Sequence, residues 1–454
     1  MHTVHQHWDK LKVCAVGRSF PPEFYSCVEN PKVRGALERI AIETEEDFQT
    51  LISKLEEFDV KVLRTDVSKN PEDHNIGLID ENEGAWSAPP LCPRDFTTMI
   101  GNRFFMPSPK YGDNIDVEKI FNGLLDKNLF QRDNSRERIL AKYLTDLMLP
   151  GRPISSTVAL MKLRSKKGLW KEWWDSREFW DNQQEAKKQK PKCFTRYLAG
   201  IDAEEVKKLI FAAETNTIGS INKFPSNKKF YQFASIEKWC KENDVPIVYD
   251  SYINGAMSWR IGKDIFFNYV NLVNKLNENV YKDKWAKLFP DYRVHAVDTP
   301  GHGDGGMHPV LPGLIIALKD MSFYEKYYPD WEVVYLKDES WKKLPGFREA
   351  KQKNRGRWWI KGEEDNQELV DFVDSWLNHW VTYVEETVFD VNMLVIDKKN
   401  VIVNGYNKEV FDAFERYGIT PHIVNFRHRY FWDGGLHCIT SDISREGERQ
   451  DYHL

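Results

Sequence analysis

Residues 392–403 read NMLVIDKKNVIV, two short apolar runs on either side of a polar segment at 397–399. Apolar, β-branched runs around a short polar turn predict a β-hairpin. Apolar residues at helical spacing then predict a helix over 409–417, and a further strand is predicted over 422–425. Hairpin, helix and strand in this order form one α/β unit.

The same rhythm recurs along the chain. Residues 96–105 and 259–267 each read as two short strands around a glycine turn. Near the start, a strand at 12–18, a helix beginning at Thr44 and a strand at 60–64 form a strand–helix–strand unit. A loosely repeated α/β unit favours a closed ring of similar units over a doubly wound sheet.

The composition is that of an ordinary globular protein, since 41% of the 454 residues are hydrophobic and 29% are charged. No linker divides the chain, so one domain over residues 1–454 is predicted. The net charge of -5 argues against nucleic-acid and membrane partners. No apolar run approaches the roughly 18 residues of a membrane helix. The absence of a signal segment and the six widely spaced cysteines predict a reducing, cytoplasmic location.

Two stretches interrupt the repeat and are predicted insertions, near residues 165–192 and 352–367. The first interleaves basic residues with tryptophans, a pattern that can bind single-stranded nucleic acid. Its acidic residues dilute the charge and its tryptophans fall at helical spacing, which favours a surface helix with one aromatic face. The second insertion is predicted to be a solvated loop.

Three histidines, His2, His5 and His7, stand near the N-terminus. They could bind a metal, but a frayed terminus is the favoured interpretation because chain ends are commonly poorly ordered. The sequence contains no phosphate-binding glycine loop of the Walker or dinucleotide type. It therefore predicts neither a metal nor a cofactor.

A cysteine near the C-terminus, Cys438, follows the paired glycines Gly434 and Gly435. Glycines at this place would let the backbone pass close to a flat ligand. As a thiolate, Cys438 could act as a nucleophile. A free cysteine can equally be a small buried hydrophobic residue. The nucleophile interpretation needs a base and carboxylates from elsewhere in the chain.

Candidate partners occur in the glycine-rich stretch at 299–309, which contains His302 and Asp304. Histidine is suited to proton transfer near neutral pH, and a metal site is the alternative use. Asp95 precedes the first hairpin and Asp264 follows the turn of the second; each is either a structural ion-pair or turn residue, or part of the site. Carboxylates can hold a guanidinium bidentately, so the set suits a thiol acting on a planar, cationic carbon.

These residues occur in an order that resembles the glycine amidinotransferase (transamidinase) family, within the guanidine-modifying pentein superfamily. The matching segments are Val16-Gly17-Arg18, Pro93-Arg94-Asp95, Gly262–Phe266, His302 with Asp304, Pro312-Gly313, Val391-Asn392 and Gly434–Cys438. They span nearly the whole chain. The resemblance implies an α/β fold, a pentein propeller of five pseudo-symmetric αββαβ-type units around a central substrate channel, which agrees with the repeat.

The resemblance also implies catalytic roles. Cys438 would attack the guanidinium carbon of a donor such as arginine and form a covalent amidino-cysteine. His302 would protonate the departing ornithine amine and then deprotonate the acceptor amine, and Asp264 would orient His302. Asp95 and Asp304 would hold the guanidinium nitrogens. Neither a cofactor nor a metal is implied.

Other positions of the family's site carry Asn392, Asp390 and Met321, which the resemblance places among the substrate-binding residues. The chain departs from the family at several of these positions. Met257 stands where an acidic residue is expected ahead of the second hairpin, Met321 where an arginine binds a substrate carboxylate, and Asp390 where a small hydroxyl residue is expected.

The expected function is therefore transfer of the amidino group of L-arginine to a small primary amine, glycine by default. Its partners are small-molecule substrates, and a homodimer is compatible with the resemblance. Two alternatives remain open. One is an arginine deiminase-like hydrolase that gives citrulline and ammonia, and the other is a catalytically silent guanidine-binding relative.

Overall fold

The structure, a computed structural model, describes both ends of the chain and several internal segments. The described residues are 2–69, 75–78, 84–86, 89–107, 231–250, 253–268, 285–297, 302–317, 326–336, 360–363, 365–373, 377, 391–432 and 434–452. The predicted insertion at 165–192 lies outside them, as do residues 352–359 of the second one. The prediction of a single domain thus remains a prediction.

The strands of the described residues are all short. In chain order they are β1 (Lys10–Val16), β2 (Lys61–Arg64), β3 (Asn75–Leu78), β4 (Gly84–Trp86), β5 (Thr98–Ile100), β6 (Arg103–Met106), β7 (Ile247–Tyr249), β8 (Ser258–Ile261), β9 (Asp264–Asn268), β10 (Arg293–Val297), β11 (Met307–Leu311), β12 (Leu314–Ala317), β13 (Glu332–Tyr335), β14 (Leu394–Asp397), β15 (Asn400–Val403), β16 (Thr420–Ile423) and β17 (Thr440–Glu446).

The helices of the described residues vary widely in length. They are α1 (Pro31–Glu57), α2 (Ala234–Glu242), α3 (Gln367–Phe372), α4 (Lys408–Tyr417) and α5 (Arg429–Trp432). Short 3-10 turns occupy Pro22–Cys27, Pro93–Asp95 and Gly303–Gly305. No helix among the described residues is long and apolar enough to cross a membrane.

Five sheets of the described residues share one topology. Each has three strands, in the orders β17-β1-β2, β5-β6-β7, β8-β9-β10, β11-β12-β13 and β14-β15-β16. In each sheet the middle strand is antiparallel to one neighbour and parallel to the other. The α/β class expected from the sequence is confirmed, and the three predicted hairpins are β5–β6, β8–β9 and β14–β15. None of these described sheets closes on itself.

The unit that contains the hairpin at 392–403 forms much as its sequence predicts. The predicted helix at 409–417 is α4, which begins one residue earlier. Asn407 caps it by accepting a hydrogen bond from the backbone N–H of Val410 at 3.2 Å. At its other end Gly418 takes the left-handed φ of 68°. The last strand, β16, is two residues ahead of its predicted position.

Helix α1 is longer than predicted. It begins at Pro31, with Asn30 as its N-cap, and not at Thr44. The residues that suggest a helix start at Thr44 have tertiary partners instead. Thr44 is buried and accepts a hydrogen bond from the Trp432 indole at 2.7 Å, and Glu45 forms an ion pair with Arg64. Thr44 and Glu45 therefore contact residues that are distant in sequence, and they do not mark the start of the helix.

The N-terminal segment is packed into the structure, so the expectation of a frayed terminus was wrong. Three isolated bridges tie it to other parts of the chain: Thr3 pairs with Arg445, Val4 with Gly101 and Gln6 with Ile261. Strand β1 follows at once and pairs with β17 near the C-terminus. Both chain ends therefore belong to one sheet, and that sheet carries the turn that contains Cys438.

Candidate active site

The candidate site residues occupy equivalent places in the five sheets. Each stands one to five residues ahead of the strand that runs antiparallel to the middle strand. Asp95 precedes β5, Met257 precedes β8, His302 precedes β11, Asn392 precedes β14 and Cys438 precedes β17. The repeated topology thus supplies one chemically distinct side chain from each unit.

Cys438 lies in a tight turn just before β17 and is buried. A methyl group added at Gly435 would stand 2.5 Å from the Asn392 Oδ1, and one added at Gly434 would stand 2.7 Å from the Cys92 Sγ. In the structure the two glycines therefore admit neighbouring side chains of this protein. The close approach of a flat ligand, expected from the sequence, is thus taken by Asn392 and Cys92 in the structure.

Asn392 binds both the backbone and the thiol of this turn. Its Oδ1 accepts hydrogen bonds from the backbone N–H groups of His437, at 2.8 Å, and Cys438, at 3.1 Å. Its Nδ2 donates to the Cys438 Sγ at 3.0 Å. The two backbone donors fix the orientation of the amide, so its N–H must face the sulfur. A donor directed at sulfur favours the thiolate. Sequence reasoning placed Asn392 at the substrate, whereas the structure places it on the candidate nucleophile.

Replacing Asn392 by Asp tests this contact. The Asn392→Asp variant keeps an acceptor for the two backbone N–H groups but directs a carboxylate oxygen at the sulfur. Loss of one charge-assisted hydrogen bond, worth about 1.5–3 kcal/mol, should slow thiolate reactions roughly 10- to 100-fold. We expect alkylation of Cys438 by iodoacetamide, followed by peptide mass, to slow and to need a higher pH.

The matched control is Asn404→Asp. Asn404 is also buried, and its Oδ1 accepts from the backbone N–H of Phe426 at 2.8 Å. Its replacement should leave the alkylation of Cys438 unchanged. Equal alkylation rates in wild type and Asn392→Asp across the pH range would show that the amide does not stabilise the thiolate.

Asp304 connects Cys438 to its neighbour His437. The Asp304 Oδ2 accepts a hydrogen bond from the His437 Nδ1 at 2.7 Å and one from the Cys438 thiol at 3.6 Å. Burial, followed by the charge of Arg94, holds the pKa of His437 well below its usual range, so this imidazole is neutral. A carboxylate beside a thiol opposes ionisation of the sulfur until a cation lies between them. Such a site is suited to a positively charged substrate.

His302 pairs with Asp95. Its Nδ1 lies 3.8 Å from the Asp95 Oδ1, and both side chains are mostly buried. His302 leads into the 3-10 turn at 303–305, which is held by a hydrogen bond of 2.8 Å from the Gly303 N–H to the Ala256 carbonyl. A methyl group at Gly303 would overlap the Trp259 ring at 1.7 Å, so this close packing requires glycine.

Asp264 does not lie at His302, which corrects the role expected from the resemblance. Its carboxylate accepts hydrogen bonds from Arg293, at 2.9 and 2.6 Å, and is 2.6 Å from the His295 Nε2. Burial would raise the pKa of Asp264, but Arg293 and His295 hold it below its usual range. The cause is register, because Asp264 is paired with Arg293 across the parallel strands β9 and β10. Asp264 is therefore a structural ion-pair residue in this protein.

The position ahead of the second hairpin, where the resemblance expects an acid, contains Met257. This residue is buried, and its backbone N–H donates to the Asn254 Oδ1 at 3.0 Å. It follows Ala256, whose carbonyl accepts the hydrogen bond that holds the turn of His302, so a thioether stands where an acidic residue is expected. Two predicted substrate-binding residues, Asp390 and Met321, lie outside the described residues.

A buried charge network supports the Cys438 turn. The Arg94 Nε donates to the carbonyls of His437, at 2.8 Å, and Thr440, at 2.9 Å, while its Nη1 donates to the Asp442 Oδ1 at 3.0 Å. Arg260 and Arg445 also donate to Asp442. Burial alone would raise the pKa of Asp442, but the three arginines hold it well below its usual range. Arg94 thus fixes the position of the turn.

Removing the Arg94 guanidinium should destabilise the fold. Arg94→Met removes the Nε donor from the carbonyls of His437 and Thr440 and weakens the charge balance of Asp442, which should cost about 3–5 kcal/mol of unfolding free energy. Arg94→Lys keeps the positive charge but lacks the planar, forked guanidinium, so its loss of unfolding free energy should be smaller than that of Arg94→Met. Urea unfolding measures both. Arg416→Met, at an exposed pair with Glu332, is the control and should cost about 1 kcal/mol or less.

The same network sets a pH dependence. The folded-state pKa of Asp442 is below its ordinary 3.8. Its contribution to stability is therefore complete above that value and is lost as the pH falls through the folded-state pKa. The difference between wild type and Arg94→Met should shrink in strong acid. An Arg94→Met variant as stable as wild type at neutral pH would contradict this role.

Sequence reasoning missed three contributors to the site. Asp442 was visible as an acid within the apolar run after Cys438, a signal for a buried partner. Arg260 stood in the second hairpin next to the residues that were considered. His437 stands directly before Cys438 in the sequence, and the structure shows that its ring contacts Asp304.

Comparisons with known proteins identify relatives of the chain, although no protein-family model matches it. The mitochondrial glycine amidinotransferase of Xenopus laevis is 26% identical over 210 residues, which are 45% of this chain and 41% of that protein. The L-arginine:L-lysine amidinotransferase of Pseudomonas savastanoi pv. phaseolicola is 23% identical over 200 residues, 42% of this chain and 44% of that protein. The matches thus span less than half the length of these curated relatives.

Among solved structures, the chain is similar at low identity to two amidinotransferases. One is the inosamine-phosphate amidinotransferase of Streptomyces griseus, with a TM-score of 0.46 and 15% identity over 100% of this chain and 99% of that one. The other is an amidinotransferase of saxitoxin biosynthesis from Microseira wollei, with a TM-score of 0.45 and 15% identity over 99% of both chains. The resemblance drawn from the sequence motifs is confirmed by the curated relatives: over less than half of its length, this chain is similar to amidinotransferases.

Proposed function

We propose that this protein transfers the amidino group of L-arginine to a small primary amine through a covalent intermediate on Cys438. The observation that carries the proposal is the surroundings of the thiol. The Asn392 Nδ2 donates to the Sγ at 3.0 Å, and the Asp304 Oδ2 lies 3.6 Å from the same sulfur. A guanidinium held by a carboxylate at that distance would present its carbon to the sulfur.

The first half-reaction forms the amidino-cysteine. The guanidinium cation, held by Asp304, offsets the carboxylate charge and favours the state in which Cys438 is a thiolate and His302 carries the proton. The sulfur attacks the guanidinium carbon, the bond from that carbon to the side-chain nitrogen breaks, and His302 donates a proton to the departing ornithine amine. The products are ornithine and an amidino group bonded to sulfur.

The second half-reaction releases that group to the acceptor. The neutral His302 left by the first step takes a proton from the incoming amine. The amine nitrogen attacks the amidino carbon, the carbon–sulfur bond breaks, and the thiolate is restored. His302 holds the proton for the next turnover, so protons balance over the cycle.

We assign the orientation of His302 to Asp95, in place of the role first expected of Asp264. The Asp95 carboxylate is 3.8 Å from the His302 Nδ1, a distance that closes to a hydrogen bond with a small side-chain movement. An Nδ1–H held by a carboxylate leaves Nε2 to exchange protons with the substrate and stabilises the imidazolium. The same carboxylate remains within the site to contact the guanidinium.

The proposed arrangement is a ring of the five similar sheets around a common substrate channel. Its support is that Asp95, Met257, His302, Asn392 and Cys438 occupy equivalent places ahead of one strand in each sheet. Side chains at equivalent places in a ring of repeats converge on its axis. The homodimer and the cytoplasmic location remain predictions.

The test is to supply L-arginine with a panel of small amines, glycine and lysine among them, and to identify the products by mass. We expect ornithine together with one guanidino product that depends on the amine. Citrulline and ammonia from arginine alone would establish the hydrolase instead. Binding of arginine without any product would establish the silent relative.

A further inference from the structure

Three buried histidines lie together behind the turn of Cys438. His7 belongs to the packed N-terminal segment, His308 to β11 and His437 to the turn itself. One ring nitrogen of each lies within 4.8 Å of those of the other two. The ring centroids of His308 and His437 are 4.8 Å apart. The His7 centroid lies 5.5 Å from that of His308 and 5.7 Å from that of His437. Segments that are remote in sequence thus converge on one small volume.

These imidazoles have ring nitrogens without hydrogen-bond partners. Among the described residues, no polar atom pairs with the Nε2 of His7, His308 or His437. A buried polar atom without a partner costs about 1–3 kcal/mol, so three in one place indicate a missing common ligand. None of the three is used in the mechanism proposed above.

We propose that His7, His308 and His437 bind a divalent transition-metal ion of the Zn²⁺ type. Neutral imidazole nitrogens are preferred ligands for such ions, and three histidines with an open fourth position form a common zinc arrangement. The His437 Nδ1–H donates to Asp304 at 2.7 Å, which leaves its Nε2 as a lone-pair ligand. A carboxylate behind a ligating histidine is the usual support of such sites.

The surroundings of the cluster keep its members in the ligating form. Burial lowers the pKa of His308 to about 3, with Arg94 and Arg445 adding to the shift. Burial likewise holds the pKa of His7 well below its usual range, followed by the charge of Arg260. The carboxylates of Asp304 and Asp442 offset part of the arginine charge.

The spacing requires a modest contraction. A tetrahedral ion with metal–nitrogen distances of about 2.1 Å needs nitrogens about 3.4 Å apart. The ring nitrogens, which lie within 4.8 Å of one another, must therefore each move inward by roughly 1 Å. A buried water molecule would fit the wider spacing, so it is the competing occupant.

Metal at this place would act on the catalytic turn through His437. Coordination of Nε2 holds the proton on Nδ1 and strengthens its hydrogen bond to Asp304. This would fix Asp304, and through it the guanidinium position beside Cys438. This consequence rests on the proposed function, whereas the metal site itself does not.

Cobalt titration of the chelator-treated full-length chain tests the site. Co²⁺ reports four-coordinate binding through its visible d–d absorption, and Zn²⁺ should displace it. We expect one Co²⁺ per chain. His308→Asn and His7→Asn should each weaken binding by about 100-fold or more, since even the loss of a supporting hydrogen bond costs 10- to 100-fold. Thermal unfolding of each variant without metal checks that it is folded.

Two variants separate this site from other binding. His5→Asn is the matched control, because His5 is in the same segment but hydrogen-bonds to the Tyr292 hydroxyl at 3.1 Å. Cys438→Ala removes the adjacent thiol. Both should bind Co²⁺ as wild type does.

Failure of wild type to bind a stoichiometric ion would overturn the proposal in favour of water. Retention by both His7→Asn and His308→Asn, or loss in Cys438→Ala, would also overturn it. Metal uptake is read without catalysis, so its failure leaves the proposed function untouched.

Discussion

Cys438→Ala should abolish amidino transfer, with a fall in turnover of about 10⁴-fold or more, because it removes the atom that bonds to the guanidinium carbon. Folding should be retained, since the side chain is small and its neighbour Asn392 keeps both backbone hydrogen bonds of the turn. Arginine binding should also remain, because the carboxylate of Asp304 is unchanged. Ornithine release measures turnover, and calorimetry measures binding.

The matched control is Cys240→Ala. Cys240 is also a buried thiol, but burial raises its pKa to about 12, so it is an inert core residue of α2. This variant should turn over arginine at nearly the wild-type rate. Ornithine release from Cys438→Ala at a rate near wild type would refute the nucleophile assignment.

His302→Asn should lower turnover by about 10²- to 10⁴-fold, the usual contribution of general acid–base catalysis. Asparagine preserves polarity and approximate size but cannot donate a proton to the departing ornithine amine. Since the carbon–nitrogen bond then breaks slowly, amidination of Cys438 by arginine should be slowed to a similar degree. Ornithine release and the intact mass of the protein measure the two effects.

A donor with a better leaving group separates proton donation from a purely structural role of His302. An S-alkyl isothiourea expels a thiolate, which needs no proton. His302→Asn should therefore still acquire the amidino group on Cys438 from such a donor, at a rate near that of wild type. Equal impairment with arginine and with the isothiourea would show that His302 supports the site and does not transfer protons. His422→Asn, at a half-buried histidine on β16, is the control and should behave as wild type with both donors.

The parts of the fold that could be predicted from sequence are those specified by neighbouring residues. The hairpins at β5–β6, β8–β9 and β14–β15 follow from apolar runs around short turns, and α4 follows from its apolar spacing and its Asn407 cap. Helix α1 is predicted to start too late because Thr44 resembles a helix start. In the structure the Thr44 hydroxyl accepts a hydrogen bond from Trp432, far along the chain. Local patterns cannot reveal such a partner.

The candidate site shows the same limit. The sequence proposes Cys438, His302, Asp304 and Asp95 because each carries reactive chemistry near glycine-rich turns or hairpins. Asp264 was assigned wrongly because its partner, Arg293, is known only once β9 and β10 are paired.

Long-range packing also set the roles of two further residues. Nothing in the sequence indicates that the Asn392 amide donates a hydrogen bond to the Cys438 sulfur. The burial of His7 depends on bridges from the N-terminus to β8 and to the turn after β5. Residue chemistry can be read from a sequence, but the partner of each residue is set by packing between distant segments.

The covalent intermediate is the central claim, and intact mass spectrometry of the protein with L-arginine and no acceptor tests it most directly. One amidino group per chain should appear on Cys438, by peptide mapping, together with one equivalent of ornithine. Addition of a competent amine should remove the group and yield the guanidino product. Consumption of arginine while Cys438 stays unmodified, or an adduct at another residue, would contradict the account.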